Sequence, residues 1–363
     1  MPESLAILVN GASGRMGRTR HLEGALLPLR DSEFDLDIYL SGRSNAVMQE
    51  IAESTRTKYL GEADQALRKE KIDLLFDASN PLVRPKLLQS ALALGIGVYT
   101  EKPIALNRRD AATLYEMNLK SKTFGAIVQD KIFTQGYLAA RKILEEGLLG
   151  EIYDIRCEFG YWVHTGFTEE KINRPSWNFQ KKLGGSLIPD LFSHWNYIIE
   201  LIDEVDSVVA LTRTHIGQRR DELGNEYKVD TPDTAHVIFT TRRGITGSIS
   251  SSWIQRPLNP FTLRVFGSLG SIYVTPTACK WYAQTAEIDA IDRFSIKAED
   301  EFRAQWREVL KTFLNKEKTN FGFDSALRQA AFAEAIEKSE LEHRFINVER
   351  YKAWSHTIFP LMG

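Results

Sequence analysis

The sequence predicts two domains of different classes: an α/β domain built on a doubly wound parallel sheet, then an α+β domain with a large, mainly antiparallel open sheet. In the first third of the chain, short apolar runs alternate with amphipathic helical stretches, as in parallel sheets with right-handed crossovers. From about residue 131, strand-like segments follow one another through tight glycine turns, which is typical of antiparallel sheets. We place the two domains at residues 1–129 and 130–363.

The apolar runs of the first domain predict its strands in order. These runs are Leu5–Val9, Leu36–Leu40, Ile72–Ala78, Gly97–Thr100 and Phe124–Gln129. Helical stretches separate them, including RPKLLQSALALG after the third run and a longer segment that ends at Lys120.

The second domain begins with the helical segment GYLAARKILEEGLLG, which leads into the strand IYDIRCEFGYWV. A helix carrying Asp190 and His194 follows, and then a series of β-rich segments up to SIYVTP. The polar stretch GQRRDELGNEYKVDTPD interrupts that series and is predicted to be a disordered loop. Two helices, Glu301–Leu314 and Asp324–Ser339, close the chain.

Composition excludes several classes of protein. The chain has 363 residues, 43% of them apolar, and its 46 basic and 48 acidic side chains leave no basic field for nucleic acid or a membrane. The two cysteines, Cys157 and Cys279, are far apart, which fits a reducing cytoplasm rather than a disulfide framework. The apolar run Leu5–Val9 is too short for a signal peptide, and no apolar window approaches the ~20 residues that a bilayer requires. We expect a cytoplasmic protein.

A glycine-rich turn follows the first strand directly. The stretch NGASGRMG places glycines at positions 11, 14 and 17, between the first predicted strand and a helix. Glycine lets the backbone approach a pyrophosphate, whose charge then meets the free N–H groups at the helix N-terminus. A merely tight turn is the alternative. At the first strand–helix junction of a βαβ pattern, the motif favours dinucleotide binding and a Rossmann sheet.

The end of the second strand bears on the choice of dinucleotide. NAD enzymes usually carry Asp or Glu there, which accepts hydrogen bonds from the ribose 2′-hydroxyl. In YLSGRSN, Gly42 occupies that position, Arg43 and Ser44 follow, and Asp37 lies too early in the strand. An arginine fork and a hydroxyl suit a 2′-phosphate. We therefore predict NADP as the cofactor, with NAD as the alternative. The competing interpretation is that Arg43 is a solvent-exposed loop arginine without a role in binding.

Polar residues end the third and fourth strands. The stretches ASNP, residues 78–81, and TEKPIA, residues 100–105, lie at carboxyl ends of strands, where open α/β sheets bind ligands. Lys102, followed by a proline that fixes the turn, could reach a substrate oxygen there. Taken alone, Lys102 reads as a surface lysine; the upstream glycine turn favours a role in the site.

The stretch GGSLIPDLFSHWNY, residues 184–197, contains a second candidate group. Asp190 and His194 are four residues apart, so a helix places them on one face, and Pro189 suits a first helical turn. The pair could be a metal half-site, acid–base machinery, or a carboxylate at a helix N-terminus beside a core histidine. A metal is disfavoured because no third ligand cluster accompanies the pair.

Together these features resemble the Gfo/Idh/MocA family, the glucose–fructose oxidoreductase and inositol dehydrogenase group. The likeness rests on the glycine fingerprint, the EKP after a later strand, and the GG-x-L-x-x-D-x-x-x-H helix in a β-rich second domain, and it covers essentially the full length. The resemblance implies that Lys102, Asp190 and His194 form the catalytic group. It also implies that Trp177 lies near the cofactor.

The chain departs from the family pattern near the second candidate group. Ser186 replaces the usual third glycine, Phe192 a small residue, and Tyr197 an aspartate, so the substrate stays open. The predicted cofactor-binding residues are Gly11, Ser13, Gly14, Arg15, Met16, Ser41, Gly42, Arg43, Ser44, Ser79, Asn80, Glu101, Lys102, Gln129 and Trp177.

The implied reaction is hydride transfer between a nicotinamide and a carbinol or ketone of a sugar, sugar derivative or cyclitol. His194 would exchange the hydroxyl proton, Lys102 would stabilise alkoxide charge, and Asp190 would orient the imidazole or a substrate hydroxyl. Two alternatives stay open: a glycosidase that retains NAD(P) and acts by transient oxidation and elimination, and a non-catalytic dinucleotide-binding sensor. The expected partners are a small sugar or polyol and a second copy of the chain, in a homodimer or homotetramer formed through the open sheet face.

Overall fold

The computed structural model describes residues 4–165 and 174–349. The chain separates into two compact units: Met1–Phe133 with Glu299–Leu327, and Thr134–Ala298 with the residues from Arg328 onward. The first unit therefore extends past the predicted boundary at residue 129. It also takes in residues 299–327, for which the sequence predicts the second domain, because a helix in that segment buries Trp306 and Leu310 within the first unit.

The first unit contains a six-stranded, wholly parallel sheet in the described part of the chain, with the strand order β3-β2-β1-β4-β5-β6. Its strands are β1 (Leu5–Asn10), β2 (Leu36–Ser41), β3 (Lys58–Tyr59), β4 (Leu74–Asp77), β5 (Gly97–Thr100) and β6 (Gly125–Ile127). This confirms the predicted Rossmann sheet. The sequence pattern missed only β3, which is too short for a hydrophobic period.

Burial on both faces explains the continuous apolar character of β1. Ile7, Leu8 and Val9 are wholly buried, as expected of a parallel strand covered by helices on each side. Asn10, the last residue of β1, is aligned with Ser41 of β2 and Asp77 of β4. The register therefore gathers three polar side chains at the carboxyl edge of the sheet.

Helices flank this sheet. They are the π-helix Met16–Leu26, α1 (Leu27–Arg30), α2 (Asn45–Thr55), α3 (Ala63–Lys69), α4 (Arg84–Ala93) and α5 (Arg108–Ser121), with α9 (Glu301–Leu314) added from the later segment. A short 3₁₀ helix, Asp130–Phe133, ends the continuous part of the unit. Side chains cap the starts of α5 and α9: Asn107 accepts a hydrogen bond from the Asp110 N–H, and Asp300 accepts from the N–H groups of Phe302 and Arg303.

The second unit contains a nine-stranded sheet among the described residues, with the order β16-β15-β14-β13-β7-β12-β11-β8-β17. These strands are β7 (Ile152–Trp162), β8 (Val205–Arg213), β11 (Thr234–Thr241), β12 (Thr246–Ser252), β13 (Ile254–Gly267), β14 (Gly270–Thr275), β15 (Ala278–Ala283), β16 (Glu287–Asp289) and β17 (Ile346–Asn347). All described pairings are antiparallel except β7 with β12. The predicted mainly antiparallel sheet is confirmed.

The polar stretch from residue 217 to 233 is ordered, so the prediction of a disordered loop is wrong. It forms a small hairpin of β9 (Gln218–Arg220) and β10 (Glu226–Lys228). The Asp221 carboxylate closes the turn by accepting hydrogen bonds from the N–H groups of Leu223 and Asn225, and Gly224 supplies a left-handed φ of 85°. Turn chemistry outweighs polar composition here.

One face of the large sheet is packed and the other is open. Along β11, Ala235, Val237 and Phe239 are buried, whereas His236 and Ile238 are exposed. The helices of the second unit are α6 (Gln135–Glu145), α7 (Ser193–Glu200), α8 (Ala290–Arg293) and α10 (Phe323–Glu342), whose first residues are counted with the first unit. Among the described residues, no helix combines the length and apolar character needed to cross a bilayer.

Candidate active site

The glycine turn after β1 has the geometry that a close-approaching ligand requires. Gly11 has a left-handed φ of 87°, and its carbonyl accepts a hydrogen bond of 3.0 Å from the Gly14 N–H. A Cβ on Gly17 would collide with the Gly11 carbonyl, so the helix can begin this close to the strand only with glycine there. Ser13, Gly14 and Arg15 are exposed at the start of the π-helix, whose first N–H groups have no partner within a helix.

A polar layer beneath this turn holds the strand ends together. The Asn10 amide donates to Asp77 Oδ1 at 2.7 Å, and the Ser41 hydroxyl donates to Asn10 Oδ1 at 3.2 Å. Ser79 donates from its hydroxyl to Asp77 Oδ2 at 2.9 Å. Ser41, a predicted cofactor ligand, is fully buried, and its hydroxyl is engaged in this layer.

Arg84 ties this layer to the loop after β5. Its guanidinium is 3.0 Å from Asp77 Oδ2, and both side chains are almost wholly buried. It also donates to the carbonyl of Glu101 at 2.7 Å and to the carbonyls of Ser79 and Pro103. No local pattern predicts this role, because Arg84 looks like an ordinary polar residue near a helix start.

The end of β2 offers no carboxylate in the position that NAD enzymes use. Gly42 is half-buried, and its carbonyl accepts a 2.8 Å hydrogen bond from the Tyr59 hydroxyl. Arg43 and Ser44 follow and are exposed, which leaves their donor groups accessible. Asp37 pairs with Ala6 near the amino end of the strand, as the sequence register predicts.

The loop Glu101–Pro103 presents Lys102, which is half-buried. The Glu101 carboxylate beside it is buried and lies 2.9 Å from His21 Nε2 and 3.2 Å from the Lys102 N–H. Burial raises the pKa of Glu101, but the His21 hydrogen bond and the charges of Lys102 and Arg84 outweigh it, so the pKa lies below its ordinary value. Glu101 is therefore an ionised, internally bonded carboxylate.

Gln129 and Asn80 complete the predicted residues at this edge of the first unit. Gln129, just past β6, is 1% exposed, and its Nε2 has no hydrogen-bond partner among the described residues. A buried orphan donor at the carboxyl edge of the sheet fits a bound ligand. Asn80 is half-buried, and its Oδ1 accepts a 2.8 Å hydrogen bond from the Leu82 N–H.

In the second unit, a π-turn precedes the helix that carries the histidine. The turn spans Ile188–Phe192, with Pro189 at its second position as predicted, and α7 continues from Ser193. Asp190 therefore lies in the π-turn and His194 in the α-helix. The predicted placement of both side chains on one helix face assumes continuous α-helical geometry, which the π-turn interrupts. His194 is 4% exposed, and its ring lies edge-on to Phe261, with the centroids 5.7 Å apart.

Arg174 is the partner of Asp190. Its Nη1 lies 2.6 Å from Asp190 Oδ2, and each side chain is about a fifth exposed, at 22% and 23%. The guanidinium lies over the Trp253 ring, 4.7 Å from its centroid, and donates to the Tyr161 hydroxyl. Burial lowers the pKa of Arg174, but Asp190 and Tyr161 outweigh it and hold the pKa above its ordinary value. Arg174 is not among the predicted site residues, since nothing in its local sequence pattern distinguishes it.

The double glycine before the π-turn allows two backbone segments to touch. Gly184 has a left-handed φ of 84°, and a Cβ on Gly185 would collide with the backbone of Trp177 and Asn178. Trp177 is half-buried in the short 3₁₀ helix Ser176–Phe179. The glycines thus hold the Trp177 segment against the start of the Asp190 turn.

The predicted residues fall into two groups. Lys102 and all the predicted cofactor residues except Trp177 belong to the first unit, whereas Trp177, Asp190 and His194 belong to the second. Met16 is half-buried at the start of the π-helix. Among the described residues, no group of three or more His, Cys, Asp and Glu side chains is arranged to hold a metal ion.

Comparison with known proteins identifies the family. Residues 137–273 match the model described as the GFO/IDH/MocA C-terminal domain. A D-xylose dehydrogenase from Paenarthrobacter nicotinovorans is 31% identical over 94% of this chain and 97% of its own length. The chain belongs to the Gfo/Idh/MocA family. It is an NAD(P)-dependent dehydrogenase or reductase that acts on CH–OH groups, and the glycine turn and the orphan Gln129 amide fit that dinucleotide.

Solved structures share the fold over nearly the whole chain. A levoglucosan dehydrogenase in complex with NADH and L-sorbose has a TM-score of 0.85 at 18% identity and covers 95% of this chain and 99% of its own. The WlbA dehydrogenase from Bordetella pertussis, in complex with NADH and UDP-GlcNAcA, has a TM-score of 0.80 at 16% identity, with coverage of 97% and 99%. At these identities the likeness establishes the fold.

The Arg174–Asp190 pair predicts a measurable coupling. We expect Arg174→Met to lower the free energy of unfolding by about 1–3 kcal/mol, less than for a fully buried pair because both side chains keep some exposure. In a double-mutant cycle with Asp190→Asn, urea unfolding is expected to give a coupling of about 1–3 kcal/mol. Arg156→Met, which breaks the more exposed pair with Asp154, is the control and is expected to cost less than about 1 kcal/mol. Equal effects in both pairs would contradict the structural role of Arg174.

Proposed function

We propose that the chain is an NADP(H)-preferring oxidoreductase that transfers hydride between nicotinamide and a carbinol or ketone carbon of a sugar, sugar derivative or cyclitol. The observation that carries the proposal is the arginine-paired Asp190 four residues before a buried His194 in a family of dehydrogenases. The relative that matches over nearly the full length is named D-xylose dehydrogenase, which supports a sugar as substrate.

Asp190 suits the recognition of a polyol. A carboxylate paired with the Arg174 guanidinium presents oxygens that accept hydrogen bonds, and sugar hydroxyls are donors. Asp190 therefore orients the substrate or the imidazole and does not itself carry the proton. This division of roles leaves His194 as the group that gains and loses the proton.

His194 and Lys102 have complementary tasks at the reacting oxygen. In the oxidative direction, the bound dinucleotide supplies the acceptor for the hydride that leaves the substrate carbon. His194 takes the hydroxyl proton as the carbon–oxygen double bond forms, and its burial beside Phe261 keeps bulk water from its ring. The Lys102 ammonium stabilises the negative charge that develops on the oxygen. In reduction, His194 returns the proton.

Substitution of Lys102 and His194 tests this mechanism. We expect Lys102→Ala and His194→Ala each to lower kcat by at least about 10²-fold, the range for loss of acid–base or charge stabilisation, while the dinucleotide still binds. The assay is nicotinamide absorbance with a panel of sugars and cyclitols, and binding is followed by fluorescence of the reduced dinucleotide. Near-normal turnover in both variants refutes the proposal.

Controls for this test come from exposed residues of the same types. Lys69→Ala alters an exposed lysine at the end of α3, and His343→Asn alters an exposed histidine whose φ of 52° asparagine tolerates. Both controls are expected to keep wild-type turnover. Release of free sugar without a net change in absorbance would instead support the glycosidase alternative.

The preference for NADP(H) rests on the end of β2. Gly42 stands where an acid would bind the ribose 2′-hydroxyl, and Arg43 and Ser44 are exposed beside it. A 2′-phosphate gains charge-assisted hydrogen bonds from such a pair, worth about 1.5–3 kcal/mol for the arginine. The same residues offer nothing comparable to NAD.

We expect Arg43→Ala to weaken NADPH binding about 10–100-fold, the affinity equivalent of that energy, and to leave NADH binding within about twofold. Direct titration of both dinucleotides measures this. Arg68→Ala, on the exposed face of α3, serves as the control for a general change of charge. Tighter binding of NAD than NADP by the wild type, with no effect of Arg43→Ala, rules out the preference.

We further propose that two or four copies associate through the open sheet face. Leu211 and Ile238 are 49% and 56% exposed there and flank His236 across β8 and β11. Light scattering is expected to give two or four times the mass of one chain, and Ile238→Lys to shift it toward a single copy. A monomeric mass for the wild type excludes this association.

A further inference from the structure

His21 lies at the centre of a buried cluster that the catalytic proposal does not use. It belongs to the π-helix behind the glycine turn and is wholly inaccessible to solvent. Its Nε2 is 2.9 Å from Glu101 Oε1, and its Nδ1 is 2.9 Å from the indole nitrogen of Trp306 in α9. The rings of Phe76 and Phe302 enclose it, with centroids 4.2 and 4.9 Å away.

The Trp306 contact fixes the protonation pattern of His21. An indole N–H can only donate, so Nδ1 of His21 must present its lone pair. The ring proton is then on Nε2, where it is donated to the Glu101 carboxylate. A second proton on His21 would set one N–H group against another. In this geometry Nδ1 accepts from Trp306 and Nε2 donates to Glu101.

The Glu101 carboxylate connects His21 to the backbone of Lys102. Its second oxygen, Oε2, accepts the backbone N–H of Lys102 at 3.2 Å. The backbone of Glu101 is also fixed, since its N–H donates to the Asp77 carbonyl at 2.9 Å and its carbonyl accepts from Arg84. Of these contacts, the His21 bond is the one that reaches the helix of the glycine turn.

We propose that His21 is a positioning residue for Lys102. By donating to Glu101 in the tautomer that Trp306 selects, it links the helix behind the dinucleotide turn to the backbone of the lysine. The functional part of this inference rests on the proposed role of Lys102. The structural part, that the His21 donor orders the Lys102 backbone, stands independently of any reaction.

Two amide variants test this role against simple filling of the core. The amide nitrogen of glutamine reaches as far from the backbone as Nε2, so His21→Gln keeps a donor toward Glu101. The asparagine amide reaches only as far as Nδ1, so His21→Asn keeps a polar group near Trp306 but removes that donor. Because asparagine is one methylene smaller than glutamine, a packing role alone predicts a defect that follows the loss in free energy of unfolding, which urea denaturation of both variants measures. Faster exchange at Lys102 beyond that loss is expected only from the missing donor.

The first measurement uses no dinucleotide and no substrate. Hydrogen–deuterium exchange of the peptide that contains Lys102 reports on the N–H group bound by Glu101. We expect exchange at least about tenfold faster in His21→Asn than in the wild type, the scale of a lost hydrogen bond to a charged group, and near wild-type exchange in His21→Gln. Trp306→Phe keeps an aromatic side chain but removes the indole N–H that donates to His21, and its exchange rate is expected to lie between those of the two variants.

The second measurement is turnover. We expect His21→Asn to lower kcat about tenfold or more with little change in the affinity for reduced dinucleotide, and His21→Gln to restore most of kcat. Equal exchange and equal kcat in the Gln and Asn variants overturn the inference. Faster exchange in His21→Asn together with an active Lys102→Ala enzyme would instead refute the proposed function while the positioning contact holds.

Discussion

The buried ion pair between Asp77 and Arg84 is the constraint on which the first unit's functional edge depends. Asp77 has no solvent exposure and meets Asn10, Ser79 and Arg84 at once, so its charge is compensated on several sides. Removing one partner of such a pair leaves an uncompensated buried charge, at a cost of about 3–5 kcal/mol. The glycine turn, the end of β4 and the Lys102 loop all take their positions from this node.

The second unit also contains an arginine–carboxylate pair, Arg174 with Asp190, which is more exposed to solvent. Arg174 holds Asp190 from one side, while Trp253 and Tyr161 hold Arg174. In both units a guanidinium therefore fixes a carboxylate at the point where polar ligands are expected. The difference is burial: the first pair is almost wholly buried, whereas about a fifth of each side chain in the second pair is exposed to solvent.

Local patterns predicted what depends on neighbours in the chain. The strands of the parallel sheet, the glycine turn and the proline at the Asp190 turn are all encoded within a few residues. Resemblance to a family supplied Lys102, Asp190 and His194 as a group. The partners that hold this group were not predictable. His21, for example, contacts the Glu101 carboxylate that binds the Lys102 N–H, and its own partner Trp306 lies 285 positions away, where no local pattern marks the contact.

Predictions from charge and composition failed where hydrogen bonds to the backbone determine the local structure. The stretch from residue 217 to 233 is polar enough to suggest disorder, yet one aspartate and one glycine close a hairpin there. Likewise, the period of α9 reveals an amphipathic helix but not the unit against which its apolar face packs. That choice depends on the shape of a distant surface.

The return of α9 to the first unit has a consequence for synthesis. Domains usually fold as units while the chain emerges, the amino-terminal one first. Here Trp306, the donor to His21, is not made until the whole interval Thr134–Ala298 has been translated. Until α9 is made, the apolar side chains of the first unit that pack against it stay uncovered, while most strands of the second unit's large sheet are synthesised. The first unit is therefore completed only after strands β7 to β16 of the second unit have been made.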